Sequence, residues 1–293
     1  VEAAGSQKQG GMKAARVHQY GPPGAITLED LPIPVAGPGE VLVRVHAAGV
    51  GPWDGWVRAG KSVLPQPLPL TLGSDLSGVI AAVGDGVGEF APGDEVFGVT
   101  NPRFTGAYAE YAVAAAGMIA RKPASLTHVQ AASVPVVAVT AWQALFEEAR
   151  LERGASVLIY GAAGNVGGYA VQLAHMAGLH VAATADGKVD AVIDLVGGET
   201  QTRSFSVLKA GGHLVSAVSA PDPETAKARG VTAHFFLVKV TTGHLNRIAA
   251  LIDEGRLRTN VGTVLPLGAA REAHEMLDGV RPRSGGKIVL SVR

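Results

Sequence analysis

The 293 residues include no cysteine, 47% are hydrophobic and 17% charged, and 25 Lys+Arg balance 25 Asp+Glu. That excludes disulfides, thiolate nucleophiles, cysteine–zinc sites and iron–sulfur clusters. A formal net charge of zero argues against a nucleic-acid binder, which needs surplus cations to meet phosphates. The length favours two domains, and the apolar content rules out general disorder.

Residues 1–11 are polar, lack the apolar core of a signal peptide and precede Met12, so they read as an extension or tag remnant. The first half then reads as β. Strands are expected over 41–45, entered through Gly37-Pro38-Gly39-Glu40, and over 79–83, closed by Gly84-Asp85-Gly86. Two more follow over 95–99 and 108–113, behind Pro92-Gly93-Asp94 and Gly106. Short strands with Gly/Pro turns at this spacing suggest a barrel or sandwich. The apolar stretch 131–142 is broken by Pro135 and falls short of the about 20 residues that a membrane helix needs. No membrane partner is expected, and a cytoplasmic location is the default.

The second half alternates. Helices are expected over 126–132 and 141–148, then strand 156–160, helix 165–177, strand 180–184, strand 191–196 and helix 199–209. Strands 213–217 and 232–238, helix 243–254 and a final strand 287–292 complete the chain. Alternation of this kind implies a parallel sheet with helices on its faces, so the fold class is α/β.

The strand Ser156-Val157-Leu158-Ile159-Tyr160 runs into Gly161-Ala162-Ala163-Gly164-Asn165-Val166-Gly167 and then into an amphipathic helix. A glycine fingerprint between a buried strand and a helix suits a dinucleotide. The chain turns sharply off the strand, the backbone approaches the pyrophosphate, and the helix aims its free N–H groups and positive dipole end at the anion. The cluster Gly84-Asp85-Gly86-Val87-Gly88 has no helix behind it and reads as a plain turn. Gly286-Lys287 lacks the spacing of a P-loop.

The link between strands 180–184 and 191–196 is too short for a parallel crossover, which takes about a dozen residues. Either the two strands form a hairpin, or a βαβ unit of ~30 residues or more is missing, by deletion or by omission from the sequence. The residue that reads the adenosine ribose belongs near this break. Asp186 is a candidate, which would favour NAD, and these residues leave NAD and NADP open.

Across residues 12–293 the chain resembles the medium-chain dehydrogenase/reductase superfamily, in its zinc-independent, zeta-crystallin-like quinone oxidoreductase branch. The resemblance is carried by Gly39-Glu40-Val41-Leu42-Val43, Pro52-Trp53-Asp54, Gly73-Ser74-Asp75-Leu76-Ser77-Gly78 and Gly93-Asp94-Glu95-Val96-Phe97. It continues through Gly106-Ala107-Tyr108-Ala109-Glu110-Tyr111, Thr140-Ala141-Trp142-Gln143-Ala144-Leu145, the loop from Gly161 to Gly167, Asp194-Leu195-Val196-Gly197-Gly198 and Gly285-Gly286-Lys287. It implies a GroES-like β-barrel catalytic domain (12–136 and 264–293), a Rossmann-type nucleotide-binding domain (137–263), and a cleft between them.

The implied reaction is hydride transfer from NADPH, with NAD not excluded, to a quinone or an α,β-unsaturated carbonyl. The implied cofactor contacts are Pro52, Trp53, Thr140, the loop residues Gly161, Ala162, Ala163, Gly164, Asn165, Val166 and Gly167, then Val196, Gly197, Ser216, Val218, Phe235, Phe236, Leu237 and Lys287. Two departures stand out: Gly51 replaces a frequent Asn, and the region that usually grips the 2′-phosphate is the missing part. Relatives pair through the edge strand of the nucleotide sheet, here 231–238, so a homodimer is expected.

No metal is expected. Zinc members use a cysteine and Gly-His-Glu, whereas this chain has no cysteine and reads Gly73-Ser74-Asp75. The nine histidines show no H-E-x-x-H, and His274-Glu275 reads as a solvated helix face. Without a metal, developing negative charge must spread over a conjugated acceptor, which suits quinones and enones. Tyr20, Trp53, Trp56, Phe104 and Tyr108 are candidate flat walls of a substrate pocket and equally candidate core or turn aromatics. Asp54 is a candidate pocket polar group or a helix cap, and no residue stands out as proton donor. The alternatives are a non-catalytic nucleotide-binding or structural member, and an enoyl reductase acting on carrier-bound acyl chains, for which no basic docking patch is evident.

Overall fold

The computed structural model describes residues 10–64, 66–182 and 188–293. The chain divides into two compact units, Val1–Ser133 with Val261–Arg293, and Val134–Asn260. The expected boundaries fall a few residues later. No helix among the described residues is long and apolar enough to cross a membrane.

The first unit opens with β1 (Gly11–Val17) and β2 (Thr27–Pro32), an antiparallel pair that the sequence reading passed over. β1 begins inside the stretch read as an extension. β3 (Glu40–Val50) is more than twice the expected length. It leads through Gly51 into α1 (Pro52–Arg58), where Pro52 opens the helix and Asp54 accepts the Gly51 N–H at 2.8 Å. β4 (Leu70–Thr71), β5 (Asp75–Val83), β6 (Glu95–Val99), β7 (Tyr111–Ala115), β8 (Ile119–Arg121) and α2 (His128–Ala132) follow. Two irregularities in the pairing of β3 with β5 bend β3. One edge of β3 pairs with β5; the other carries β7 along its first half.

The second unit starts with α3 (Pro135–Trp142), which runs on into a π-helical segment, Gln143–Glu148. Then come β9 (Ser156–Tyr160), α4 (Asn165–Met176), β10 (His180–Ala182), β11 (Val189–Asp194), α5 (Gly198–Val207) and β12 (Leu208–Ser216). α6 (Pro223–Arg229), β13 (Thr232–Phe235) and α7 (Thr242–Asp253) complete it. All four pairings are parallel, in the order β10-β9-β11-β12-β13. Val157, Leu158, Ile159, Val192, Ile193, Leu214 and Val215 are buried, so the central strands are apolar on both faces.

β10 and β11 lie on opposite sides of β9, so they form no hairpin. The end of the expected strand 180–184, and Asp186, lie outside the described residues. The chain then returns to the first unit as β14 (Val261–Pro266), α8 (Ala270–Leu277) and β15 (Lys287–Ser291). β15 pairs with the second half of β3, completing the sheet order β14-β15-β3-β5-β6-β8 around a core of Val43, Val45, Leu72, Leu76, Ile119 and Ile288.

Candidate functional site

In the second unit the glycine loop joins β9 to α4. Gly161 sits at φ +80°, a conformation that side chains rarely adopt. A Cβ on Gly167 would lie 2.1 Å from the Gly161 carbonyl oxygen, so the first turn of α4 packs directly on the loop backbone. The helix N-cap is Gly164, which has no side chain to accept from the first-turn N–H groups. Those donors and the dipole of a twelve-residue helix are thereby left for an anion. Ala162, Ala163 and Gly164 are exposed, whereas Asn165 and Val166 are half-buried.

The loops that follow β11 and β12 lie against this one. A Cβ on Gly161 would touch Leu195 and Val196, each at 3.3 Å, and a Cβ on Gly197 would touch Val218 at 3.3 Å. The Phe236 N–H donates to the Ser216 carbonyl at 3.1 Å, which brings the end of β13 to the same edge. The structure therefore gathers Gly161 through Gly167, Val196, Gly197, Ser216, Val218, Phe235 and Phe236 at the C-terminal ends of neighbouring parallel strands, where open α/β sheets bind ligands. Val196 and Leu237 are open to solvent, at 52% and 41%. Phe236 and Leu237 follow the strand rather than belong to it. Thr140 is buried in α3, and its hydroxyl donates to the Val136 carbonyl at 2.7 Å.

Two residues at this edge escaped the sequence reading as site residues: Asp194 and Gln201. Asp194 is wholly buried at the end of β11. Its Oδ1 accepts the N–H groups of Val196 (3.1 Å) and Gly197 (2.8 Å), and its Oδ2 accepts from Gln201 Nε2 (2.9 Å) and the Ser216 hydroxyl (3.0 Å). The available signal was an acid closing the apolar run Ala191-Val192-Ile193 just ahead of two glycines.

The candidate substrate residues belong to the first unit. Trp53 meets Trp56 and Phe104 edge to face, with centroids 6.3 and 5.9 Å away. Phe104 has φ +58°, rare for a bulky residue, in a turn tied by Asn101. Trp56 is 38% exposed. The buried indole N–H of Trp53 meets no hydrogen-bond acceptor among the described residues. Tyr20 lines a separate cavity of about 270 Å³ beside α1, with Val57, Ser62 and Leu64, and its hydroxyl donates to the Gln66 carbonyl.

For Tyr108 and Asp54 the structure takes the second of the two expected readings, core aromatic and helix cap. Tyr108 is wholly buried, and its hydroxyl donates to Asp54 Oδ2 at 3.0 Å. Asp54 Oδ2 takes that bond and the Gly51 N–H, while the buried Oδ1 has no hydrogen-bond partner among the described residues. Tyr108 is part of the core of the first unit, and Asp54 sits buried in the first turn of α1. Burial, the largest effect, pushes Asp54 up from 3.8 to about 7 against the Gly51 hydrogen bond. His274 is corrected. It is fully buried beside Arg58 (Nδ1 to Nη1, 3.0 Å), and burial followed by the Arg58 charge lowers it to about 3. The charged face expected there is carried by Glu275, paired with Arg271 and Arg281.

Among the described residues no three His, Cys, Asp or Glu side chains converge as a metal site. Asp75, in the Gly73-Ser74-Asp75 stretch, is ion-paired with buried Lys287 at 2.9 Å. Lys287, the candidate C-terminal cofactor contact, donates that bond, and a Cβ on Gly51 would lie 3.1 Å from its Nζ.

Two family models match: an alcohol dehydrogenase GroES-like domain over residues 37–124 and a zinc-binding dehydrogenase over residues 168–290. Human quinone oxidoreductase is 30% identical over 323 positions, which cover 95% of this chain and 98% of that protein. The chain belongs to the medium-chain dehydrogenase/reductase superfamily. It is an oxidoreductase of that family, for which a nicotinamide cofactor is the expected partner. The structure of a quinone oxidoreductase from Coxiella burnetii superposes with a TM-score of 0.88 at 33% identity, covering 97% of this chain and all of that one. An NAD-dependent alcohol dehydrogenase superposes at 0.85 with 29% identity, covering 96% of this chain and all of that one. The alignment to the human protein spans more positions than this chain has residues, so that relative holds internal residues missing here.

Proposed function

We propose that this superfamily member reduces quinones or α,β-unsaturated carbonyls with NADPH and uses no metal. The observation that carries the proposal is the convergence of the glycine cradle with the loops after β11, β12 and β13 on one sheet edge. The likeness to quinone oxidoreductases supports the choice of acceptor.

When bound, the reduced nicotinamide supplies a hydride to the acceptor. The chain's own residues do the rest. The α4 N-terminus and the Gly161–Gly167 backbone hold the diphosphate. Val196, Gly197 and Val218 bound the strand edge that would flank the rest of the nucleotide. Trp53, Trp56 and Phe104 offer flat apolar surface to a flat acceptor. Without a metal, the negative charge that develops on the acceptor oxygen spreads through conjugation, which suits quinones and enones. Water delivers the proton.

A panel of acceptors tests this. The expected result is NADPH oxidation with 1,4-quinones or enones, none with simple ketones, and no change on adding a chelator. Turnover of simple ketones, or loss of activity with the chelator, would overturn the metal-free reading.

A further inference from the structure

We infer that Asp194 is a positioning residue for the nucleotide, acting through Gln201 and Ser216 to fix the two loops that would flank it. The inference rests on the nucleotide-binding reading of this sheet edge.

The hydrogen bonds form one branched chain. Asp194 Oδ1 shapes its own loop by accepting from Val196 and Gly197. Oδ2 reaches the neighbouring strand by accepting from Ser216. The Ser216 oxygen in turn accepts the N–H groups of Val218 (3.2 Å) and Ser219 (3.3 Å), which shapes the second loop. Gln201, one turn into α5, closes the circuit: its amide donates to Asp194 Oδ2 and to the Ser219 carbonyl, both at 2.9 Å.

One carboxylate thus sets the backbone of two successive loops. The residues at the ends of its bonds, Val196, Gly197 and Val218, are the ones that lie against the glycine loop or against each other. Among the described residues every partner of the carboxylate is a neutral donor, and Asp194, Ser216 and Gln201 are all buried. A buried carboxylate with four donors is a demanding arrangement, because a lost partner leaves a desolvated oxygen unpaired. A purely structural need for burial at this strand end would be met by an apolar residue.

Two variants probe the circuit. Asp194→Asn keeps an acceptor for Val196 and Gly197 but turns an amide donor toward the Gln201 and Ser216 donors. Ser216→Ala cuts only the branch to the second loop. Ser204→Ala is the control: Ser204 is buried on α5, and its hydroxyl donates to the Thr200 carbonyl within the helix. NADPH dissociation constants come from nucleotide fluorescence, quinone KM is taken at saturating NADPH, and fold is checked by far-UV circular dichroism and Tm.

The expected result is an NADPH dissociation constant raised about tenfold or more in both variants. Quinone KM stays within about twofold of wild type, and the Ser204→Ala control binds as wild type. Should Asp194→Asn fail to fold, Ser216→Ala decides the matter. Folded variants that bind NADPH as wild type does would overturn the positioning role while leaving the nucleotide reading intact. Failure of the wild-type chain to bind either nucleotide would overturn both.

Discussion

A methyl group on Gly167 would sit 2.1 Å from the Gly161 oxygen and 2.6 Å from the Ala162 Cα, so the loop and the first turn of α4 would have to separate. Gly167→Ala is therefore expected to cost about 100-fold or more in nucleotide affinity, about 2.7 kcal/mol, as measured by fluorescence titration. Affinity within threefold of wild type would show that the loop does not cradle the nucleotide. Asp54 gives a pH signature. Its folded value of about 7 lies above its unfolded value of 3.8. The stability it contributes is fully present below 3.8 and is lost as the pH rises through about 7. Asp54→Asn keeps an acceptor for Gly51 and cannot ionise. The Tm of this variant should gain on wild type as pH rises from 5 to 8, and parallel Tm curves would contradict the account.

At the level of elements, α1 and the turn bearing Phe104 carry the aromatic surface, so truncation there should alter acceptor use without touching nucleotide binding. Trp56→Ala is expected to raise quinone KM by roughly threefold to tenfold with NADPH affinity unchanged. An unchanged KM would remove Trp56 from the substrate wall. The strand–glycine–helix unit was legible in the sequence because its three signals are local: an apolar run, fixed glycine spacing and an amphipathic helix. β1 and β2 were not, because charged Lys13, Arg16, Glu29 and Asp30 interrupt short apolar stretches on a half-exposed sheet. α6 was missed although its ends are marked by Asp222 capping Thr225 and by Gly230 at φ +62°. The sites divide in the same way. Glycine positions are readable because sterics dictate the residue. The burial of Tyr108 and His274 arises from long-range packing that no local pattern encodes.

For the whole molecule, the decisive feature is the strand order of the second unit. β10 ends the sheet among the described residues, and the next described strand, β11, lies on the far side of β9. Residues that discriminate the adenosine ribose usually follow the second strand of such a sheet. With so little chain between β10 and β11, NADPH and NADH are expected to bind with dissociation constants within about tenfold of each other. A preference for NADPH above 100-fold would show an intact 2′-phosphate site. β13 is the opposite edge, and pairing of two copies along it is the expected cover, visible as a dimer in sedimentation at micromolar concentration. The most direct test of the central claim is a titration of the purified chain with NADPH and with NADH, followed by nucleotide fluorescence and completed by addition of a 1,4-quinone. Saturable binding, with consumption of the bound reduced nucleotide on quinone addition, is the predicted result; no binding of either nucleotide would contradict the account and leave a structural, non-catalytic member of the superfamily.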